Sequence, residues 1–550
     1  MIMKSIRYKT IIASISLALI MSACSDYLDI NKDPNNPTDV SLALLLPYSQ
    51  AAIVGAVDNT AGGLTSHTQT IMGQYTQRGF MSDYGLQPND FPIIIGWAQF
   101  YTEALTDLNI VINKGTTEES WYYVGIAQVL EAYLFSVAVD LWGDVPFSEA
   151  GLGSANPFPN YDSGEDVYNG IFILLDNAIE NFEKDAPIAT SDLFYGGDPD
   201  QWKKLAKTLK LKLLNQVRLV QDVTAEATAL VNEGDLILDI EDDWQLPYGT
   251  SISPENRNPG FVQEWTAGGQ FYYIDPYFFE TMQGTETFFP GGNIFLGIND
   301  PRIPYYFFNQ LSTADDGAAQ NPCAYCPSRS GTPFLSIFAF SFNIDPNEGF
   351  DQGRSQTVPG LYPMGGRFND GAGGVAANAS ALTAGQVSGP GNVPQRLLTS
   401  FQTKYILAEL ALAGLIPGDP RAFLEDAIRD SFAKVNEVAP LGSAPAISPT
   451  NINTYVNDVL AVYDGGGDEL QVIMTQKWIA SFGYGIDSYN DFRRTGFPVL
   501  HDGNTDNLVV TARTRNFPVS FPHELQDLIT NPNAPPQRVI TLDRVFWDPN

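Results

Sequence analysis

Carboxylates are the side chains most able to do chemistry in this sequence, which has 63 Asp and Glu residues against 30 Lys and Arg and only three His. Two carboxyl groups suffice for glycoside hydrolysis. Pairs such as Asp144 with Glu149, and Asp487 with Asp491, lie close together along the chain. Such pairs also arise by chance in so acidic a composition, and no surrounding motif indicates a carboxyl whose pKa is raised. Hydrolysis stays open as an alternative, and the sequence predicts a protein that is not an enzyme.

Other catalytic and cofactor signatures are absent from the sequence. It has no GxxxxGK[ST] phosphate loop, no GxSxG nucleophile motif and no HExxH zinc motif. Residues 31–37 (NKDPNNP) offer oxygen ligands without the spacing of a calcium loop, which favours a turn-rich surface segment. We therefore predict no cofactor and assign no metal, and a structural calcium ion is left undecided.

The net charge of the chain is −33, from 30 basic and 63 acidic residues. A polyanion of this size repels nucleic-acid phosphates and anionic membrane surfaces, so DNA and RNA are excluded as partners. Charged residues make up only 17% of the chain and aromatic residues 12%. This composition is typical of a folded, aromatic-rich protein and not of a disordered acidic tail.

The aromatic residues are the feature best suited to a ligand. Sugar rings present C–H faces that stack on aromatic rings, and their hydroxyl groups hydrogen-bond to Asn, Asp, Gln and Arg. The two types interleave in residues 74–97 and 265–277. We predict ligand contacts at the following aromatic residues: Tyr84, Trp265, Tyr272 and Tyr273. The alternative for each ring is core packing.

The N-terminus has the features of an export signal. Lys4, Arg7 and Lys9 precede an apolar run at 11–21 that is too short to span a bilayer, and Ser22-Ala23-Cys24 forms a small-residue cleavage site. The stretch LIMSAC at 19–24 resembles a lipobox, in which cleavage precedes an acylated cysteine. We predict a signal peptide at 1–23, lipidation of Cys24 and a tether at 24–40; an ordinary signal peptide is the alternative.

The two remaining cysteines are Cys323 and Cys326. In an exported protein, thiols this close in sequence favour a disulfide that closes a loop. A zinc or redox role is the weaker interpretation, because no second CxxC and no nearby His complete a set of four ligands.

Two helical blocks flank an irregular middle segment. Apolar residues recur at helical spacing through 41–234, and the motifs Thr116-x-x-Glu119 and Ser163-x-x-Asp166 predict helix starts. The apolar run 124–139 contains Gln128 and Glu131, which favours a buried core helix over a membrane span. Lysines at 203–212 predict a solvated face paired with carboxylates.

Residues 235–394 are rich in Gly, Pro and Asn and form a loop-rich region that we predict to bind the ligand. Helical patterns return in 395–550: at 395–414, at 420–435 with Asp419 as cap, at 451–463 and at 469–482. The predicted fold class is mainly α, with antiparallel helix pairs like tetratricopeptide units and a large irregular insertion.

Several stretches, in order along the chain, resemble the SusD/RagB family of outer-membrane nutrient-binding lipoproteins, in its second SusD-like branch. The resemblance rests on these segments: CSDYLDINKDPNNP at 24–37, Trp97 with LTDLN at 105–109, DLWGDVPFSEA at 140–150, YDS at 161–163, NDPR at 299–302, QKWIA at 476–480, DFRRTGFP at 491–498 and VFWD at 545–548.

This resemblance implies a tetratricopeptide-like scaffold packed against a variable ligand-binding half. It implies a lipid-anchored protein on the outer face of the outer membrane that captures oligosaccharides, or sometimes peptides, for a SusC-like TonB-dependent transporter without cleaving them. The family-matching stretches DLWGDVP at 140–146 and RRTG at 493–496 would then be scaffold, with Asp144, Arg493 and Arg494 in buried ion pairs. A secreted glycan hydrolase and a peptide-binding or docking lipoprotein are the alternatives.

Overall fold

The computed structural model describes residues 40–77, 86–266, 271–287, 289, 291–314, 332–336, 356–374, 389–500 and 516–550. Cys24, the segment 31–37, Tyr84, Cys323 and Cys326 lie outside these residues. The predictions made for them stay predictions.

The N-terminal half of the described chain is built of helices. They are α1 (Leu42–Ala56), α2 (Leu64–Ile71), α3 (Phe91–Ala98), a π-helical turn (Gln99–Ala104), α4 (Leu105–Thr117), α5 (Trp121–Trp142), α6 (Gly164–Phe182), α7 (Pro199–Val217) and α8 (Thr224–Glu233).

Strand β1 (Tyr75–Gln77) lies between α2 and α3. The middle segment holds strands β2 (Trp244–Leu246), β3 (Tyr272–Ile274), β4 (Phe307–Asn309) and β5 (Thr357–Pro359), and helices α9 (Pro259–Phe261), α10 (Pro276–Gln283), α11 (Ile303–Tyr306) and α12 (Leu361–Met364). Strand β6 (Gln395–Leu398) opens the C-terminal block. The C-terminal helices are α13 (Ser400–Leu412), α14 (Pro420–Val438), α15 (Pro449–Tyr463), α16 (Glu469–Ala480), α17 (Gly485–Thr495) and α18 (Leu525–Thr530).

Consecutive long helices pack against each other as pairs, most extensively α5 with α6 and α13 with α14. Gly125 permits the close approach of α5 and α6, since a Cβ there would lie 2.7 Å from the ring of Phe182. The pairing of helices joined by short connections is the arrangement expected of tetratricopeptide-like units. The predicted mainly α class with helix pairs is confirmed.

Helix α5 is long and apolar enough to cross a membrane, yet the apolar window that defines such a span is completely buried inside the protein. Its residues from Tyr123 to Trp142 are all buried, including Gln128 and Glu131. The predicted core helix is therefore confirmed. Burial all round explains why α5 lacks an amphipathic stripe.

Short antiparallel strand pairs tie distant parts of the chain together. β1 pairs with β3, with Tyr75 opposite Ile274, and β2 pairs with β6, with Trp244 opposite Leu398. β4 pairs with β5 within the middle segment. These pairs connect the middle segment both to the N-terminal helices and to the start of the C-terminal block.

Helix boundaries agree with the capping signals in two cases and differ in two. Ser163 accepts a hydrogen bond from the Asp166 amide at 3.2 Å, and Asp419 caps α14 with Pro420 at its first position, as predicted. The helix start predicted at Thr116 is wrong, because Thr116 lies in the last turn of α4 and α5 begins at Trp121. The pattern predicted as helix from 395 begins with strand β6 instead.

The lysines of α7 are paired with carboxylates, as predicted. Lys204 contacts Asp242 at 2.9 Å, and Lys210 contacts both Asp176 and Glu226 at 2.5 Å. Lys212 binds the buried Asp487 at 2.6 Å. The positive stripe therefore serves to attach α7 to its neighbours.

A buried ionic cluster joins the two helical blocks. Arg494 on α17 contacts Glu409 on α13 at 2.8 Å and Asp491 at 2.6 Å, and all three side chains are buried. Glu409 also pairs with Arg218, which follows α7, at 2.8 Å. Burial by itself would raise the pKa of Glu409, but Arg218 and Arg494 outweigh burial and hold this pKa below its ordinary value. We call Arg218, Glu409, Asp491 and Arg494 the ionic cluster.

The predicted ion pairs are confirmed for Arg494 only. Arg493 is buried, but its guanidinium donates to the backbone oxygens of Asp140 and Val519 and to Asn490 Oδ1. The prediction is wrong for Asp144, which is exposed and accepts a hydrogen bond from the Gly164 amide at 2.9 Å. Asp144 thus satisfies a free amide at the start of α6.

We expect Arg494→Ala to lower the free energy of unfolding by about 3–5 kcal/mol, because it removes one of the two cations that pair with each of the buried carboxylates Glu409 and Asp491. Chemical denaturation measures this loss. Arg421→Ala is the matched control, since Arg421 and Asp464 form an exposed ion pair. Equal losses in both variants would show that the ionic cluster does not stabilise the fold in this way.

Candidate functional site

The three predicted ligand-contacting aromatics within the described residues are all buried. Trp265, Tyr272 and Tyr273 are at most 2% exposed. Tyr272 stacks on Tyr75 with ring centroids 5.2 Å apart, and Trp265 Nε1 donates to the Pro359 carbonyl at 3.3 Å. In this conformation these rings have no face open to a ligand, and contact would require neighbouring segments to move.

A buried acid accompanies these rings. Glu264 lies in a short π-helical segment (Val262–Thr266), and its Oε2 accepts hydrogen bonds from the Phe271 and Tyr272 amides at 2.9 and 3.3 Å. Burial raises the pKa of Glu264 to about 8, although the two amides act in the opposite direction. Glu264 is therefore a neutral carboxylic acid over most of the physiological range.

An open groove lies where the middle segment meets the C-terminal helices. It consists of two adjoining cavities of about 660 and 550 Å³, which share Phe368 and Pro445. The lining of the larger cavity comes from residues 299–305 and from 445–458 on α15 and the loop before it. The smaller cavity lies between 367–370, 389–390 and 441–445. We call the two together the groove.

Buried aromatic rings support the wall that carries Phe368. Trp265 packs against Phe308 at 5.4 Å between centroids, and the Arg367 guanidinium lies over the Phe308 ring at 4.5 Å. Gly366 is required here, because a Cβ at this position would lie 2.4 Å from the Trp265 indole. Trp265 thus lies directly beneath the segment that leads into Arg367 and Phe368.

The floor of the groove is fixed by the NDPR segment. Arg302 is fully buried and its Nη2 contacts Asp300 at 2.6 Å, while its Nη1 donates to Ser431 at 2.8 Å. Its guanidinium also lies 5.4 Å from the centre of the Tyr455 ring, which lines the groove. A buried, fully paired charge holds α11 against α14 and α15, so the floor is rigid.

One half-buried ring and several polar groups lie on the groove surface. Phe368 is half-buried and packs on Tyr305 at 4.9 Å between centroids, and the Tyr305 hydroxyl donates to the Pro445 carbonyl. Burial raises the pKa of Tyr305, so its hydroxyl stays protonated. Asp370, Asn451 and Asp458 are exposed along the edges.

Two polar atoms beside Phe368 lack partners. Arg367 Nη1 and Asn369 Oδ1 are buried and make no hydrogen bond. Burial lowers the pKa of Arg367, and Asp370 opposes this shift. Buried polar atoms without partners are uncommon in folded proteins and indicate hydrogen-bonding capacity that a ligand or solvent could use.

The carboxylate pairs considered for hydrolysis have other roles. Hydrogen bonds from Asn160 and Asn156 lower the pKa of Glu149, which is the opposite of what a general acid needs. Asp487 is paired with Lys212, and Asp491 belongs to the ionic cluster.

Among the residues that the structure describes, no group of three or more His, Cys, Asp or Glu side chains could hold a metal ion.

The groove residues were missed at the sequence level. The one local feature that could have indicated them is the hexapeptide Gly-Gly-Arg-Phe-Asn-Asp at 365–370, in which an aromatic residue is flanked by hydrogen-bonding side chains. Its partners at 299–305 and 441–458 are far away along the chain, and no periodicity connects them.

Comparison with known proteins gives a consistent family match. The family model SusD-like_2, described as starch-binding associating with outer membrane, matches residues 34–518. A search of curated proteins finds no match.

Solved structures share the fold over nearly the whole chain. A chitin-binding protein is 20% identical, with a TM-score of 0.66, and the match covers 93% of this chain and 100% of that chain. A SusD homologue from Bacteroides fragilis NCTC 9343 is 19% identical, with a TM-score of 0.65 and coverage of 93% and 99%. A SusD/RagB family protein from Bacteroides thetaiotaomicron VPI-5482 is 19% identical, with a TM-score of 0.61 and coverage of 93% and 100%. Because the sequence identities are only 19–20%, this structural similarity shows that the chain shares the fold of these proteins.

We expect the Tm to fall as the pH rises from about 5 to 8, in part because of Glu264. Its folded-state pKa of about 8 exceeds the ordinary value of 4.5, so the folded protein binds a proton that the unfolded chain releases. The stability from this group is fully present below pH 4.5 and is lost as the pH rises through 8. Glu131, whose pKa burial raises to about 7, acts in the same direction.

Glu264→Gln should reduce the fall in Tm, because the amide oxygen can still accept from both backbone amides and has no proton to lose. Thermal unfolding at several pH values measures the slope. The exposed Glu165→Gln variant is the control. A slope that is unchanged in Glu264→Gln would contradict the assignment of this buried acid.

Proposed function

Because the chain belongs to the SusD/RagB family, in a SusD-like branch described as starch-binding and associating with the outer membrane, we propose that it captures glycans at the cell surface and delivers them to a SusC-like TonB-dependent transporter. It binds its cargo and does not cleave it. The observation that carries this proposal is the family match, which spans residues 34–518 and includes both helical blocks and the middle segment between them.

The groove supplies the kind of surface that this function needs. Its exposed and half-buried lining combines one aromatic ring, that of Phe368, with amide, carboxylate and hydroxyl groups, which suits the apolar faces and hydroxyl edges of sugars. The floor is fixed by Asp300 and Arg302, so little side-chain entropy would be lost on binding. In this proposal Trp265, Tyr272 and Tyr273 support the binding surface from inside, and Tyr84 remains a predicted ligand contact.

Capture without cleavage agrees with the carboxylate environments. Glu149 has a lowered pKa and is hydrogen-bonded to asparagines, while Asp487 and Asp491 are paired with cations. A glycosidase needs one carboxyl kept protonated beside the scissile bond. The buried acid Glu264 does remain protonated, but it lies among backbone amides and out of contact with the groove lining given above.

The lipid anchor at Cys24 would hold the protein at the membrane. The tether at 24–40 precedes α1, and at about 3.5 Å per residue a chain of this length could span at most roughly 60 Å. Such a length would let the protein lie on a transporter and still move away from it while anchored.

We expect the protein lacking residues 1–24 to bind at least one neutral oligosaccharide from a panel of plant, microbial and host glycans, with no change in the glycan. Calorimetry measures binding, and mass spectrometry of the same samples measures cleavage. Release of shorter products would favour the hydrolase alternative. Absence of binding to every glycan, with binding of peptides, would favour the peptide-binding alternative.

Cys24→Ala in the full chain should abolish incorporation of a labelled fatty acid and release the protein from the membrane fraction. The reason is that the thiol of residue 24 is the predicted acylation site. Cys323→Ala is the matched control and should retain the label. Labelling of Cys24→Ala at the wild-type level would contradict lipidation at this residue.

A further inference from the structure

We propose that the groove binds an uncharged glycan chain of several sugar units, with the Phe368 ring as the stacking platform at its centre. This inference rests on the proposed function and adds to it the binding surface and the chemical class of the ligand.

Phe368 has the position and the fixed orientation that a stacking platform needs. It is the one ring shared by the two cavities, it is half-buried, and Tyr305 packs against it at 4.9 Å. Tyr305 is itself held by its hydrogen bond to the Pro445 carbonyl. An aromatic ring that is immobilised in advance gains stacking energy with a sugar face at little entropic cost.

Hydrogen-bonding groups flank this ring on both sides along the chain. Arg367 Nη1 is a donor and Asn369 Oδ1 an acceptor, and both are buried without a partner. Asn299 and Asn451 add exposed amides on the larger cavity. Sugar hydroxyls both donate and accept, so a sugar on Phe368 could hydrogen-bond to the exposed amides and to Arg367, which lines the smaller cavity.

The charges around the groove favour an uncharged ligand. Among the residues that line it, Asp370 and Asp458 are exposed acids, Arg367 is the one described cation, and Asp300 is neutralised by the buried Arg302. The whole chain adds a net charge of −33. Sulfated or uronic acid glycans would be repelled at low ionic strength.

The shape of the groove favours a chain over a single sugar. Two open cavities of about 660 and 550 Å³ meet at Phe368 and Pro445. A monosaccharide on Phe368 would leave both cavities largely empty. Affinity should therefore increase with chain length until both cavities are occupied.

The test compares the wild type with Phe368→Ala, using neutral hexasaccharides of glucose, N-acetylglucosamine, xylose and mannose as probes. For each hexasaccharide that the wild type binds, we expect Phe368→Ala to weaken binding at least tenfold. Phe158→Ala is the matched control, because Phe158 is a 46% exposed ring outside the groove and should leave affinity unchanged. Thermal unfolding of each variant shows whether it is folded.

A second variant keeps the test decisive if Phe368→Ala does not fold. Asn451→Trp places a bulky side chain at an exposed position on the rim, away from the core, and should also weaken binding at least tenfold.

An oligogalacturonate hexasaccharide should bind at least tenfold more weakly than the best neutral probe at low salt. The corresponding trisaccharide of that neutral probe should bind more weakly than the hexasaccharide.

Wild-type affinity in folded Phe368→Ala and Asn451→Trp variants would overturn this inference and leave the proposed function standing, since the protein would then bind glycans elsewhere. Stronger binding of the oligogalacturonate would overturn the charge argument. Absence of wild-type binding to any glycan would refute the proposed function and this inference with it.

Discussion

The ionic cluster determines how the two halves of this chain meet. Glu409 is fully buried and receives Arg218 from the end of α7 and Arg494 from α17, so helices from both ends of the sequence converge on one carboxylate. A buried carboxylate is costly unless cations and hydrogen-bond donors surround it. Asn215 supplies a further donor at 2.8 Å. The cluster therefore ties the end of α7 in the N-terminal block to α13 and α17 in the C-terminal block.

The same principle shapes the groove. Arg302 and Asp300 form a second buried pair that anchors the middle segment to α14 and α15. The wall opposite depends on Trp265, Phe308 and the absence of a side chain at Gly366. Paired charges and packed rings thus fix the backbone of a loop-rich segment that has little regular secondary structure of its own. The side chains on the groove surface remain available, and Arg367, which lines the smaller cavity, keeps a polar atom without a partner. A rigid support beneath an unsatisfied surface is what reversible capture of a polar ligand requires.

Aromatic residues illustrate what sequence reasoning could and could not achieve. The density of Phe, Tyr and Trp in the middle segment was visible, and so was its suitability for sugars. Trp265, Tyr272 and Tyr273 were chosen by local composition, and they are buried. Phe368 lies in the same segment and was not chosen, although its ring is half-buried in the groove. Whether an aromatic side chain faces the core or a ligand depends on which distant segment covers it, and Trp265 is covered by residues about a hundred positions later in the chain.

The helical blocks, the buried core helix, several helix caps and the family are predictable from the amino-acid sequence, because they depend on local periodicity, on side chains a few residues apart and on ordered motifs. Ser163, Asp419 and the apolar run of α5 are examples. Which charges are buried and which rings are accessible depends on contacts between distant segments. Asp144 and Arg494 both lie in motifs that match the family. Asp144 is exposed and accepts a hydrogen bond from the first amide of α6, whereas Arg494 is buried and pairs with the buried carboxylate of Glu409. The groove likewise exists only because segments around residues 300, 368 and 445 fold together, and contacts between positions so far apart leave no periodic signal in the sequence.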